Sequence, residues 1–190
     1  MWSRINLDCH KAGPCIESMT VNPDEILVVV DEDNKVIDQK YRKEVHKKGL
    51  WHRTAHIWIT NGKGQLLCHR RSLKKDSDPG MWDPRFGGHL GVNQNFTDGA
   101  IEETREEVGL KFSEKQLREL GVFKSDADKE FQGDFEAIWN GDLATLNLEQ
   151  DEIDEVKWFS FEEIEELCRS GADGWYMSKA ESQIYPKLTK

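Results

Sequence analysis

The stretch Gly88–Leu110, GHLGVNQNFTDGAIEETREEVGL, constrains this chain more than any other part of it. At about 100° per residue in a helix, Glu103, Glu106 and Glu107 stand at i, i+3 and i+4 and share one face. Like charges placed this way repel by about 0.2–0.5 kcal/mol per exposed pair. Such a face is either left in water or used to hold a cation. Hard divalent ions take oxygen ligands and commonly bridge carboxylates to substrate phosphates. In a chain with 33% charged residues, a solvated acidic face accounts for the three glutamates taken alone. The residues around them point further.

The segment resembles the Nudix box: glycine, five residues, glutamate, seven residues, then Arg-Glu-apolar-x-Glu-Glu-x-Gly-apolar. Aligned without gaps, Gly88, Glu103, Glu106, Glu107, Gly109 and Leu110 occupy family positions. Gln94 stands where the family has glutamate, Glu102 where it has arginine, and Thr104 takes an apolar slot. In the family that arginine helps hold the carboxylates in place. Arg105 is a poor substitute, because it points about 160° away from Glu103 around the helix. The resemblance implies an α/β/α sandwich with a central mixed sheet.

At 190 residues and 22.0 kDa, the chain suits one compact domain with a short extension. We read residues 1–24 as an N-terminal extension and 25–190 as the Nudix domain. Hydrophobic residues at 37%, with seven Trp and eight Phe, suffice for a core. No apolar run approaches the roughly 20 residues that cross a bilayer, and the first residues lack the apolar stretch of a secretory signal. Cys9, Cys15, Cys68 and Cys168 show no CxxC spacing, so neither zinc nor a disulfide framework is indicated and a cytoplasmic setting is expected. A net charge of −10 argues against nonspecific binding to nucleic acid or an anionic membrane.

Along the chain, Glu25–Val30 and Val36-Ile37 read as a hairpin, and Tyr41–Lys48 as a brief helix ended by Gly49. His52–Thr60 and Gln65–Arg70 form a second hairpin around Asn61–Gly64. Phe86–Leu90 should be a strand, and the box helix begins near Asn95–Thr97, with Ile101, Thr104 and Val108 as its inner stripe. Asp98-Gly99 alone would read as a turn. Downstream the pattern predicts a helix over Glu114–Leu120, strands over Phe131–Trp139 and Glu155–Phe159, and a helix over Phe161–Arg169. Ser160 and Glu163 form a capping box for that last helix, and 174–190 is a terminal helix.

More of the chain, over about 25–168, resembles the Nudix branch closest to isopentenyl-diphosphate isomerase. Glu44–Arg53, His56-Ile57-Trp58, Gln65–Arg71 and Pro79–Asp83 carry that likeness. The isomerase's catalytic cysteine opens a Cys-Gly-His motif whose last two residues match Gly88-His89. Gly87 sits at the cysteine position, so isomerase chemistry lacks a principal actor. Cys68 reads as a small core residue instead. His52 and His89 match histidines that hold a metal in the isomerase; the alternative is a strand-start packing residue and a local hydrogen bond. His46 and His56 read as surface or core histidines. The matching basic segment contacts a diphosphate in the isomerase, which implies substrate contact by Arg71 and Lys75, with Arg70 beside them, or else a basic loop kept for solubility.

The resemblance implies a metal-dependent hydrolase that cleaves a diphosphate linkage in a nucleoside diphosphate or a nucleoside diphosphate-X compound. Mg²⁺ or Mn²⁺ would sit on Glu103, Glu106, Glu107 and the carbonyl of Gly88. A general base comes from the box or from a later loop, where Glu149, Asp151, Glu152 and Glu155 are available and Glu152 is our choice. Trp51, Trp82 and Phe131 are candidates for stacking a flat group, or core. The departures at Gln94 and Glu102 motivate a second class, a non-catalytic nucleotide or diphosphate binder. The expected partner is a small-molecule diphosphate, and a homodimer is the assembly common in the family.

Overall fold

The computed structural model describes residues 25–75, 77–170, 174–175 and 179–189. The expected extension over 1–24, with Cys9 and Cys15, lies outside the described residues. β1 (Ile26–Val30) and β2 (Val36–Tyr41) pair around Asp31, whose Oδ1 accepts from the backbone N–H groups of Asp33 and Lys35 at 2.9 Å each. α1 (Arg42–Lys48) ends at Gly49, which takes the left-handed φ of 59° that stops a helix. β3 (His52–Thr60) and β4 (Gln65–Arg71) follow, then β5 (Trp82–Asp83), β6 (Phe86–His89) and α2 (Phe96–Val108). The chain closes with β7 (Leu117–Ser125), β8 (Glu130–Ile138), β9 (Ile153–Ser160), α3 (Phe161–Ser170) and α4 (Lys179–Ile184). None of the helices among the described residues is long and apolar enough to cross a membrane.

β3 organises the sheet. It runs parallel to β8 from His52↔Glu130 to Thr60↔Ile138 and antiparallel to β6 from Thr54↔His89 to Ile57↔Phe86. The sheet is therefore mixed. Alternation along β3 sends Ala55, Ile57 and Ile59 to one face, where they pack with Leu67, Phe86, Phe135 and the Ala100 and Val108 of α2. Trp58 goes to the other face with Leu66, Cys68, Phe159, Ile164 of α3 and Ile184 of α4. Helices on both faces give the expected α/β/α sandwich, and Cys68 is the core residue foreseen for it.

The box helix starts where its cap allows: Asn95 Oδ1 accepts from the Asp98 N–H at 2.8 Å. Gly99 does not break it. A Cβ there would lie 3.2 Å from the Leu90 side chain, so the glycine lets α2 close onto the sheet. Thr104 is fully buried in its apolar slot because its hydroxyl donates back to Ala100 O at 2.8 Å. The capping box at α3 is present, Ser160 N–H to Glu163 Oε2 at 2.7 Å and Glu163 N–H to Ser160 Oγ at 3.1 Å.

Two expectations need correction. The helix expected over Glu114–Leu120 is a single 3-10 turn, Glu114–Gln116, after which Leu117 enters β7. Pairing with β8 from Leu117↔Ala137 to Ser125↔Glu130 overrides the helical propensity of that charged stretch. Of the terminal helix expected over 174–190, the described residues form α4 and a 3-10 turn at Tyr185–Lys187, with Pro186 in the first positions of that turn.

Candidate active site

A cleft of about 930 Å³ opens where β3, β6, α2 and the 149–152 loop meet. It gathers most of the residues singled out above: Arg71, Lys75, Trp82, Gly88, Glu103, Glu106, Glu107 and Glu152. Arg70 is not brought in. Its side chain is exposed and its Nε donates to Gly80 O at 3.2 Å. Trp51 and Phe131 also stay out, packed on each other at 5.3 Å between ring centroids in a buried cluster.

The glutamates occupy three different environments. Glu107 is buried and its Oε2 accepts from the Gly87 N–H at 3.0 Å. Burial, and then Glu103, push its carboxyl well above the usual carboxylate range. Glu103 is pushed up to about 7, by burial first and Glu106 next. Glu106 is half exposed and pairs with Arg105 at 2.9 Å. Gly88 leaves room for the Glu103 carboxylate, since a Cβ there would stand 2.7 Å from Glu103 Oε2. Carboxyl groups that share one cleft, with protonation raised by burial first and by neighbouring carboxylates next, fit a hard divalent cation that would replace the protons.

The two departures from the box pattern meet each other. Gln94 Nε2 donates to Glu102 Oε2 at 2.7 Å, and Gln94 Oε1 accepts from the Gly91 N–H at 2.7 Å. A charge-assisted hydrogen bond thus fastens the box loop to α2 where the family uses an oppositely charged pair.

A second group of donors was only partly foreseen. His46, at the last turn of α1, joins His52 and His89, with one ring nitrogen from each within 4.8 Å of the others. His46 Nε2 faces His89 Nε2 at 3.0 Å. Burial first, and then neighbouring cations and imidazoles, lower the protonation of both His46 and His89. Neutral rings offer lone pairs, and His52 Nε2 lies 3.4 Å from Glu130 Oε1. Burial raises the Glu130 carboxyl, but the hydrogen bond from His52, the His89 ring and Gln132 together hold it well below the usual range. Three imidazoles and a carboxylate suit Mn²⁺ or Zn²⁺. The six-residue step from His46 to His52 across Gly49 carried the signal for His46; helix and strand had to be placed before it was visible.

The basic loop is tethered. Arg71 donates to Ser77 O at 3.1 Å and Ser77 Oγ at 3.0 Å, and reaches Asp83 at 3.4 Å. Lys75 forms a close ion pair with Glu152. Among the described residues the cleft is lined by ten carboxyl groups and five cationic side chains, Arg42, Arg71, Lys75, Arg85 and Lys129, so an anionic ligand needs added cations to settle there. Farther in, Gln132 Oε1, His56 Nδ1 and Asp134 Oδ2 are buried without a hydrogen-bond partner. Each such atom costs about 1–3 kcal/mol when left dry.

The raised Glu103 gives a signed pH prediction. Its folded pKa, about 7, exceeds the unfolded value near 4.3, so its stabilisation is complete below about pH 4.3 and lost as pH rises through 7. His46, His56, His69 and His89 are lowered by burial and act in the opposite sense around pH 6.5. Glu103→Gln isolates the carboxyl. Without metal it should match wild type in stability at pH 4.5 and exceed it by on the order of 3 kcal/mol at pH 8. Denaturant titration at both pH values checks this; equal stability at pH 8 contradicts the raised carboxyl.

Known proteins resemble this chain in sequence and in fold. An uncharacterized Nudix hydrolase of Clostridium acetobutylicum is 29% identical over 160 residues, covering 80% of this chain and 77% of that protein. One from Escherichia coli K12 is 30% identical over 151 residues, covering 74% and 76%. A crystal structure from Deinococcus radiodurans shares the fold with a TM-score of 0.69 at 22% identity, over 87% of this chain and 100% of that one. The fold is also shared, with a TM-score of 0.53 at 20% identity over 70% of this chain and 39% of the other, by a bifunctional NMN adenylyltransferase/ADP ribose pyrophosphatase from Francisella tularensis complexed with AMP and a manganese ion. The NUDIX domain profile matches residues 50–178, and the chain belongs to that family.

Proposed function

We propose that the protein is a Mg²⁺- or Mn²⁺-dependent hydrolase of a diphosphate linkage in a nucleoside diphosphate or nucleoside diphosphate-X compound. The observation that carries this reading is the placement of Glu103, Glu106 and Glu107 in one cleft, with Glu103 closing on Gly88 and Glu107 accepting from the Gly87 N–H. Glu103, Glu106, Glu107 and the Gly88 carbonyl would hold the cation. When bound, it supplies Lewis acidity toward the bridging phosphates and the attacking water. The His46, His52, His89 and Glu130 group is a second place for a metal.

The chain's own side chains do the rest. Arg71, already oriented by Ser77 and Asp83, presents a fork that matches phosphate oxygens. Lys75 exchanges Glu152 for the diphosphate. That exchange leaves the Glu152 carboxylate unpaired and able to accept a proton from water, which ties the general base to substrate arrival. Trp82 lines the same cleft and offers an aromatic edge.

Two observations favour this hydrolase over the two alternatives. Gly87 has φ +151°, and a Cβ there would lie 2.0 Å from Ala55 O, so this backbone has no room for a cysteine at that position. That supports hydrolysis over an isomerase reaction. The Gln94–Glu102 hydrogen bond keeps the box loop fastened, which supports turnover over silent binding. Incubation with CDP, UDP, ADP-ribose and nucleotide sugars, each with Mg²⁺ and with Mn²⁺, tests the reading. Metal-dependent release of a phosphorylated product is expected. No product from any compound after long incubation, with ligand-dependent thermal stabilisation retained, would leave a binder.

A further inference from the structure

β2 is the end strand of the order β2-β1-β3-β4-β5, and among the described residues it pairs with β1 alone. An open edge of this kind offers unpaired backbone groups to a second strand. The Arg42 N–H donates to Glu25 O at 2.8 Å, and the same register sets Lys40 opposite Leu27 and Asp38 opposite Val29. Those three residues turn their backbone groups toward β1. In an antiparallel pair the residues between them turn away, so Gln39 and Tyr41 face outward from the sheet.

The edge is also apolar. Ile26, Val36, Ile37 and Tyr41 are between 43% and 63% exposed, half of the large apolar side chains left exposed among the described residues. Ile26 stands opposite Tyr41, so the two make one patch beside the edge. Proline or bare lysine commonly protects an edge strand. β2 has no proline, and its one lysine, Lys40, is paired with Asp38 at 3.0 Å.

The strand is complementary to itself in one register. Two antiparallel copies centred on Gln39 set Ile37 opposite the partner's Tyr41 and Asp38 opposite the partner's Lys40. A two-fold axis makes each contact twice, and apolar and opposite-charge cross-strand pairs are the stabilising kinds. The same register puts Gln39 opposite the partner's Gln39, outward groups meeting outward groups. Centring on Asp38 or Lys40 instead opposes like charges, and centring between two residues sets outward groups against inward ones.

We propose that the protein forms a two-fold homodimer in which β2 pairs with β2 of a second copy about Gln39, joining the two sheets. In the single chain Asp38 Oδ1 accepts from the Gln39 N–H at 2.8 Å. In the dimer that N–H passes to the partner's Gln39 carbonyl, and the Asp38 carboxylate faces the partner's Lys40. Stable interfaces bury about 1,200–2,000 Å²; a strand this short sits at the low end, so the exposed apolar side chains carry much of the association. β2 runs directly into α1, which lines the cleft with Arg42, Val45 and His46, so pairing braces that wall. The dimer does not depend on the hydrolase reading.

Sedimentation of the full chain from about 1 to 200 μM tests it. Wild type should reach twice the 22.0 kDa of one chain with a Kd of about 1–50 μM. Asp38→Lys and Lys40→Asp each oppose like charges twice and should weaken self-association by at least about 10-fold. Mixed in equal amounts, the two variants recover both attractive pairs, so a dimer of wild-type strength should return. Gln39→Pro removes an N–H that points away from β1 and should give a folded monomer; if it does not fold, the charge variants and their mixture decide alone. A wild type that stays monomeric at about 200 μM overturns the proposal. A dimer that the charge variants leave intact, or that their mixture fails to restore, overturns it as well.

Discussion

Glu106→Gln is expected to lower kcat on any diphosphate the protein cleaves by about 10³-fold, equivalent to about 4 kcal/mol of transition-state stabilisation. The same substitution should leave the folded protein almost untouched. The Glu106 side chain is 56% exposed and its ion pair with Arg105 lies in water, where such pairs contribute about 0–1 kcal/mol. Activity and stability therefore separate at this position. Steady-state kinetics and a thermal melt of the same preparation read both quantities. A large loss of melting temperature would make Glu106 a structural residue, and unchanged kcat would remove it from the mechanism. Its neighbours behave differently. Glu107 is buried and Glu103 partly buried, and burial first and then a neighbouring carboxylate raise both, so neutralising either should relieve that cost in the metal-free fold while weakening the proposed cation site.

Gly87→Ala is expected to be the most damaging single-atom change in the site. The backbone there has φ +151°, and the added methyl would press on Ala55 O at 2.0 Å. Ala55 belongs to β3, and neither strand can yield without breaking the His56↔Gly87 pairing that brings β6 to the cleft. Off-region backbone and a clash with main chain together should cost about 3–5 kcal/mol. Gly88→Ala is a useful contrast. Its Cβ would meet the Glu103 carboxylate at 2.7 Å, the end of a side chain that can swing away. That variant should fold with a modest loss and still lose activity, because the carboxylate is displaced. Denaturant midpoints for the two variants, side by side, test the distinction; equal stability would contradict it.

The sequence made the box helix, the two hairpins and the α3 cap legible because each is decided locally. Asn61, Asp31, Asn95 and Ser160 bond their own neighbouring backbone, and such signals survive in any context. β7 was illegible for the opposite reason. Glu114–Leu120 favours a helix, and only the β8 partner, with its own alternation of Phe131, Phe135 and Ala137 against Glu130, Gln132 and Asp134, pulls it into the sheet. In the site, spacing put Glu103, Glu106 and Glu107 on one helix face, while a metal role for them and a diphosphate role for Arg71 and Lys75 came from the resemblance to the Nudix box and its isomerase branch. Alternation along β4 decides against Arg70, whose side chain points out of the cleft. His46 and the buried polar groups of Gln132, His56 and Asp134 depend on which strands become neighbours, so no local window contains them. Gln94 and Glu102 stand eight positions apart and read as separate departures until the fold sets one against the other.

Calorimetric titration of Mn²⁺ into the protein with α,β-methylene-ADP present, at pH 6 and pH 8, for wild type and for Glu103→Gln/Glu106→Gln, is the most direct measurement. The carboxylate site predicts binding that tightens between the two pH values, as Glu103 gives up its proton, and that is lost in the double variant while any ion on His46, His52 and His89 remains. Identical isotherms for the two proteins at pH 8 would contradict it.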